Sequence, residues 1–495
     1  MPHLNLFAGV DMNQKAAQSQ KKAVVIGTGV GGAGIAAQLA QAGFGVTVFE
    51  RSTFAGGKTA FYTRDGFTMD IAVHVSPRCE EGPIGELARR VNANLTFMRK
   101  EPVLRLIAGK RACRVPMKFW MPLPMIKLGL ALRVSPVQAW GMLRFAMKVI
   151  GIKTLDDVKP YEGMTAAELI NSHIKDPKLY ALLDTVSSLM LVVNAKEASA
   201  AEYLWCMANW VKKANTGYPK GGYSRVPHSF LEVCEKNGGI IKLGEAVERI
   251  KVENGKVSGV ETKIGFYPAD IVVSNAGFKK TVAMAGPEHF EKSFVAHADA
   301  LKDSHGAVVV QYALDYKLMD ELVNLYVPDV YDTHSFVASV EHGYDIQEPY
   351  IYIVSPTVVD PQLAPYGKHI VLACTVAPAD LSHKEATERV LDIVENIMQR
   401  LFPDLEKHTL WKVRRNIDFL AALGGRGAAE CIGLAQRFDQ DGKNKPDPQL
   451  PVKGLYAVGA DAGGTGIGTE LAADSALNVF GLIMDDVSRL SIDPC

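Results

Sequence analysis

Near the start of the chain, apolar positions come as short unbroken runs divided by glycine-rich turns. Val24, Val25 and Ile26 form one run, the pattern of a strand buried on both faces. Residues 33–42 then read as a small-residue helix, and Val46, Val48 and Phe49 as a second strand that closes on Glu50. The far end repeats the order. Residues 455–458 read as a buried strand and residues 459–468 as a glycine-rich loop. A helix then runs from Thr469 towards Leu482, with Thr469 as its cap. Between these ends, "GAVVVQYALDY" and "YIYIVSPTVV" predict strands by their β-branched and aromatic content. "KEATERVLDIVENIMQRLF" predicts an amphipathic helix, and Thr165 with Glu168 a capping box. Residues 439–451 read as a surface loop.

The first turn carries chemistry. Gly27, Gly29 and Gly32 form G-x-G-x-x-G between a strand and a helix. Such glycines permit a tight turn, close approach of backbone to a pyrophosphate, and close packing of helix on sheet. The helix N-terminus offers free N–H groups to the phosphates, and an acid about 20 residues on, here Glu50, accepts from ribose hydroxyls. The order of strand, helix, strand and acid predicts a dinucleotide site. A second glycine pair, Gly56-Gly57, precedes Lys58, which can meet phosphate charge; alone it also suits a surface turn. Asp461, just past the last strand, is placed to hydrogen-bond ribityl or phosphate-linked oxygens.

Composition narrows the class. The 495 residues call for two or three domains, and 54 basic against 54 acidic residues leave no net charge and no argument for nucleic acid. The seven cysteines are scattered without C-x-x-C, which speaks against a zinc site, an iron–sulfur cluster or a disulfide framework and fits a reducing cytoplasm. No metal-ligand cluster is expected. Residues 1–20 read as a loose N-terminal extension, and no apolar run is long enough for a transmembrane helix.

On these residues the chain resembles the flavin oxidoreductases with a glycine-doublet motif, the superfamily of amine oxidases and phytoene desaturases. Their first motif corresponds to Gly27 through Glu50, their doublet to Gly56-Gly57-Lys58, and their C-terminal flavin motif to residues 459–470. The middle segment 218–262, "YPKGGYSRVPHSF…VSGVET", and "ADIVVSNAG" at 269–277 are similar to the phytoene desaturase and retinol saturase branch. The resemblance implies an α/β fold: a Rossmann-type, glutathione-reductase-like FAD-binding domain with a discontinuous α+β substrate domain. The FAD-binding domain would comprise 21–80, 215–285 and 410–495, and the substrate domain 81–214 and 286–409. It implies FAD as cofactor, with Glu50 on the adenosine ribose, Arg51 and Lys58 near the phosphates, Gly57 in the doublet and Val247 beside adenine. Gly468 ends the C-terminal loop, and the amides of Thr469, Glu470 and Leu471 would face the flavin pyrimidine edge.

The implied activity is hydride transfer between a C–H bond of a largely apolar small molecule and FAD, forming or saturating a carbon–carbon double bond. A flavin amine oxidase, a non-redox flavin-dependent isomerase and a non-catalytic prenyl-binding protein stand as alternatives. The family carries no single fixed base. His74 is a candidate acid/base or cofactor contact, or a structural hydrogen-bonded histidine. Arg426 would hold an anionic substrate group or form a salt bridge, and Glu470 would orient the flavin edge or simply complement the helix dipole. The expected partners are the apolar substrate, an electron acceptor or donor, and an anionic membrane surface.

The last expectation comes from one stretch. Residues 102–155 contain ten Lys or Arg and no acid. The helix expected after Ser135-Pro136 has only a narrow polar stripe of Gln138, Gly141, Arg144 and Lys148. Such a helix either lines an apolar pocket or dips into a membrane interface through Trp140, Met142 and Phe145, which would place the protein in the cytoplasm and at the membrane periphery.

Overall fold

The computed structural model describes residues 20–118 and 121–492. Apart from Gln20, the expected extension over 1–20 lies outside the described residues, as do residues 119 and 120 of the acid-free stretch.

Lys22–Ile26 is the central strand of a five-stranded parallel sheet, ordered Leu455–Ala457, Ile271–Ser274, Lys22–Ile26, Gly45–Glu50, Ile240–Leu243. Its unbroken apolar runs are explained by cover on both faces. Val25, Val48 and Val273 pack under the helices Val30–Gln41, Arg225–Lys236 and Thr469–Ile492. Val24, Ile26, Phe49 and Val272 face an antiparallel meander, Val247–Glu253, Lys256–Thr262 and Phe266–Pro268, and the helix Phe278–Ala285. Each such side chain fully removed from water contributes about 1.5–3 kcal/mol. The two glycine-rich loops meet at the edge of this sheet: a Cβ added to Gly31 would stand 2.9 Å from Gly459 Cα.

A second, seven-stranded sheet runs Thr409–Arg415, Gly306–Leu314, His369–Ala377, Ile351–Val354, Val323–Val327, Leu104–Ala108, Arg111–Val115. Only Val323–Val327 and Leu104–Ala108 pair in parallel. The sequence division at 410 therefore cuts through an edge strand of this sheet. The expected amphipathic helix, Lys384–Leu401, covers one face. The other face is left for a cavity. Its remaining walls are the helices Pro122–Leu132, Pro136–Gly151, Pro177–Leu191 and Ala200–Lys212, the last three packed around a core of their own. The architecture is thus the expected α/β one, a Rossmann-type parallel sheet joined to a mixed α+β region.

Two local expectations sharpen. Ser135 caps Pro136–Gly151 in a full capping box with Gln138. Thr469 begins its helix, which runs on to Ile492, but its hydroxyl meets the Tyr223 hydroxyl at 2.8 Å.

Candidate functional site

One cavity of about 1250 Å³ runs from the glycine loops of the parallel sheet across the free face of the seven-stranded sheet. At its first end the turn is held by backbone. Gly27 has φ +96° and donates its N–H to Phe49 O at 2.7 Å. A Cβ on Gly32 would collide with the Gly27 carbonyl, and one on Gly29 would stand 2.8 Å from Asn275 Nδ2. The helix Val30–Gln41 starts with no side-chain cap and no acid in its first turn, so its leading amides are left for a ligand; Gly29, Val30 and Gly31 line the cavity. Glu50, also on the wall, is buried. Its Oε2 accepts from Thr28 N at 3.0 Å and Thr28 Oγ1 at 2.7 Å, and Oε1 from Ser52 N at 2.9 Å. The carboxylate thus braces the turn and keeps lone pairs for a ribose.

Cations gather beside this turn and strap down the last turn of the helix Ile417–Gly424 and the segment after it. Arg51 donates to Ala422 O at 2.6 Å and Leu423 O at 2.7 Å, Lys280 to Gly425 O at 2.9 Å, and Lys58 to Glu430 O at 2.6 Å and Oε1 at 2.9 Å. Arg426 Nη1 donates to both Asp461 oxygens at 2.9 Å, and its Nε lies 3.5 Å from Glu430. Among the described residues the ion pairs of the group Arg51, Lys58, Lys280 and Arg426 involve two carboxylates, Glu430 and Asp461, with Asp303 acting on Arg426 from further off. Burial, then Arg51 and Arg426, hold the Lys280 ammonium below its ordinary pKa. The positive excess and the uncapped helix fit the diphosphate of a dinucleotide such as FAD.

Of the site residues expected from sequence, Gly27, Gly29, Glu50, Arg51, Gly57 and Lys58 share this wall with Val247. His74, Arg426, Gly468 and Thr469 line the same cavity. Gly32 stands behind the turn and shapes it.

Two side-chain expectations need correction. Asp461 does not line the cavity. Besides Arg426, its carboxylate accepts from Phe278 N at 2.8 Å and Leu434 N at 3.0 Å, so protein donors occupy the oxygens that a cofactor would need. Burial opposes its charge, but Arg426 and these amides hold the carboxyl below its usual range. Glu470 is likewise turned inward. It pairs with Arg78 through Nε at 2.6 Å and through the Arg78 amide at 3.1 Å, while burial pushes its carboxyl up against Arg78's pull. The Leu471 side chain is fully buried in the core, which leaves the expected contact through its amide unaffected. Arg426 takes the salt-bridged alternative.

Further along, the cavity changes character. His74 makes an edge-to-face contact with Tyr223 at 4.7 Å between ring centres, and no hydrogen bond of its imidazole occurs among the described residues. Burial pushes its pKa down to about 4, so it is neutral at pH 7. Tyr223 in turn reaches Thr469. On the sheet floor Tyr352, Cys374 and Val309 stand in register across three strands. The Tyr352 phenol finds no hydrogen-bond partner among the described residues, and burial raises its pKa. Ser188 and Tyr350 pair their hydroxyls at 3.1 Å. Beyond these and Arg415 the wall is mostly apolar: Met142, Phe145, Leu182, Val186 and Met207 are representative. Tyr352 and Lys280 gave no signal in sequence, since each is one polar residue within an ordinary strand or helix pattern, and Tyr223 is one residue of a turn before a helix. Among the described residues no group of His, Cys, Asp and Glu is placed to hold a metal ion.

The pattern of the family described as flavin containing amine oxidoreductase matches residues 33–479. The zeta-carotene-forming phytoene desaturase of Myxococcus xanthus is 26% identical, the match covering 92% of this chain and 93% of that protein. The chloroplastic prolycopene isomerase 2 of an Oncidium hybrid cultivar is 25% identical over 91% of this chain and 82% of its own length. The crystal structure of an oxidoreductase from Methanosarcina mazei superimposes with a TM-score of 0.74 at 21% identity, covering 93% of this chain and all of that one.

Proposed function

The chain belongs to the flavin-containing amine oxidoreductase family and is an FAD-dependent oxidoreductase, and from that premise we propose that it forms or saturates a carbon–carbon double bond in a largely apolar small molecule. The observation that carries the reading is the cavity itself, continuous from the charged nucleotide end into a long apolar arm. Bound FAD supplies the hydride exchange; binding, orientation, exclusion of water and proton movement fall to protein groups.

The Gly27–Gly29 turn and the start of the helix Val30–Gln41 would hold the diphosphate with Arg51 and Lys58, Glu50 the ribose, and Val247 the adenine. Gly468 and Thr469 would border the flavin ring. The apolar arm excludes water and aligns the chain of the substrate. Desaturation removes a hydride and a proton from adjacent carbons. The neutral His74, whose nitrogens are free of protein hydrogen bonds among the described residues, can take that proton, and saturation would return it. A second reading, isomerisation of the same kind of molecule, is supported by the relatives named prolycopene isomerase.

The same protein would rest on an anionic membrane. Helices Pro122–Leu132 and Pro136–Gly151 are apolar on both sides. Met125, Leu128 and Met142 face the cavity, while Leu123 is 63% and Trp140 60% exposed. Phe145, only 3% exposed, is a cavity wall and not an anchor. Lys127 and Arg144 make no ion pair among the described residues, and each such charge near an anionic bilayer contributes about 1 kcal/mol. Lys148 instead donates to the Tyr161 hydroxyl at 2.8 Å. Among the described residues no helix is long and apolar enough to cross a membrane.

The test is anaerobic bleaching of the flavin by a panel of apolar alkenes, ketones and amines. Bleaching by an apolar compound with gain of a double bond, or consumption of an alkene by the reduced protein, is expected. Bleaching by amines alone overturns the reading. Turnover by reduced protein with no net use of reductant would select the isomerase.

A further inference from the structure

Five cations line the cavity: Arg51, Lys58, Lys280, Arg415 and Arg426. Four are tied to protein oxygens of the strapped segment or of Asp461. Arg415 differs. It ends the edge strand Thr409–Arg415 and stands in register with Val309, so it continues the row of Tyr352, Cys374 and Val309 across the cavity floor.

The groups around its half-buried guanidinium are neutral. Nε donates to Gln311 Oε1 at 3.4 Å, an oxygen that already accepts from the Tyr62 hydroxyl at 2.9 Å. The guanidinium carbon lies 5.2 Å from the centre of the Tyr62 ring and 4.2 Å from that of Phe419. Among the described residues it forms no ion pair, whereas the preceding Arg414 is tied to Asp392 at 2.7 Å and Glu388 at 3.0 Å. Two aromatic rings fix the plane of the guanidinium, and beyond its contacts with Gln311 and the Tyr62 hydroxyl its remaining edge donors suit a planar, two-oxygen acceptor. A partly desolvated cation with no counter-ion is unfavourable unless a ligand completes it.

We propose that Arg415 binds the carboxylate of an amphipathic substrate whose hydrocarbon chain fills the apolar arm. This rests on the cavity being a site for an apolar molecule, and it narrows that class from hydrocarbons to long-chain acids. Arg415 then sets which end of the chain enters and which carbons stand before His74 and Tyr352.

Oleate, oleyl alcohol and methyl oleate, each below its aggregation threshold, serve as probes in titrations of the FAD-loaded protein followed by flavin difference absorbance and calorimetry. Oleate is expected to bind at least about tenfold tighter than methyl oleate, the scale of a hydrogen bond to a charged group. Arg415→Gln should abolish that gap while leaving methyl oleate affinity, FAD content and Tm unchanged, and Arg415→Lys should retain part of it. Equal affinity for the three probes in the parent, or a gap that survives Arg415→Gln, overturns the assignment and leaves the apolar cavity standing. Failure of all three probes to bind overturns both.

Discussion

The two ends of the cavity are built on opposite rules. At the nucleotide end the wall is backbone and paired charge: glycines that admit no Cβ, an uncapped helix start, and cations already tied to protein oxygens. At the substrate end the wall is apolar side chain, and its few polar groups, His74, Tyr352 and Arg415, have neutral partners or none. The first end is preorganised for one constant ligand whose charge completes a network. The second keeps unsatisfied groups in a dry environment, where each is worth more to a ligand that meets it. Cofactor affinity should therefore respond to backbone changes, and substrate choice to single side chains.

The strongest break of this comparison is Arg78→Ala. Arg78 follows the His74 segment and pairs with Glu470 on the C-terminal helix, so it joins the two ends. Removing its side chain leaves a fully buried carboxylate with no counter-ion and only the backbone amide of residue 78 to donate to it, and unfolding in urea should show a loss of about 3–5 kcal/mol.

Next comes Gly32→Ala, whose methyl would meet the Gly27 carbonyl. Overpacking of this kind costs about 1–3 kcal/mol and distorts the turn. The purified protein should carry less than about a tenth of the parent's FAD, read from the ratio of flavin to protein absorbance. Normal loading would show that the turn is not rigid.

A third experiment separates the faces of the wall helix Pro136–Gly151. Phe145→Asp should lower stability by about 2–4 kcal/mol, because a carboxylate replaces a buried ring. Trp140→Asp should leave Tm nearly unchanged and reduce co-sedimentation with anionic liposomes. Equal liposome binding by the Trp140 variant and the parent would remove the membrane contact.

The smallest effect is expected at His74. His74→Gln should keep its FAD and lose turnover. The imidazole pKa falls from its ordinary 6.5 to about 4 on folding, so between those values the unfolded chain binds more protons. The parent's stability should therefore decline as pH falls from about 6.5 to 4, and the variant should lose this part of the slope. Identical slopes would mean that the histidine is solvated and charged.

The nucleotide end was largely legible because its determinants are contiguous. Strand, glycine turn, helix and Glu50 lie within thirty residues, and each is specified by local sterics. Asp461 and Glu470 sit in the right motif, but sequence order cannot say which way a carboxylate turns. Their directions depend on Arg426, 35 residues before one, and on Arg78, 392 residues from the other. The helix after Pro136 shows the same limit. Its narrow polar stripe gave a choice between pocket wall and membrane face, and the fold gives it an inward face at Phe145 and an outward one at Trp140.

By itself, then, the sequence determined the dinucleotide turn and the parallel sheet, since turn sterics and hydrophobic period act over a few residues, while FAD followed from the resemblance of its motifs to the glycine-doublet flavin oxidoreductases. Tertiary structure alone decided which charges were compensated and which were not. Ion pairing and desolvation depend on distance in space, and only the register of the seven-stranded sheet brings Arg415 into one row with Val309, Cys374 and Tyr352, where it forms no ion pair among the described residues.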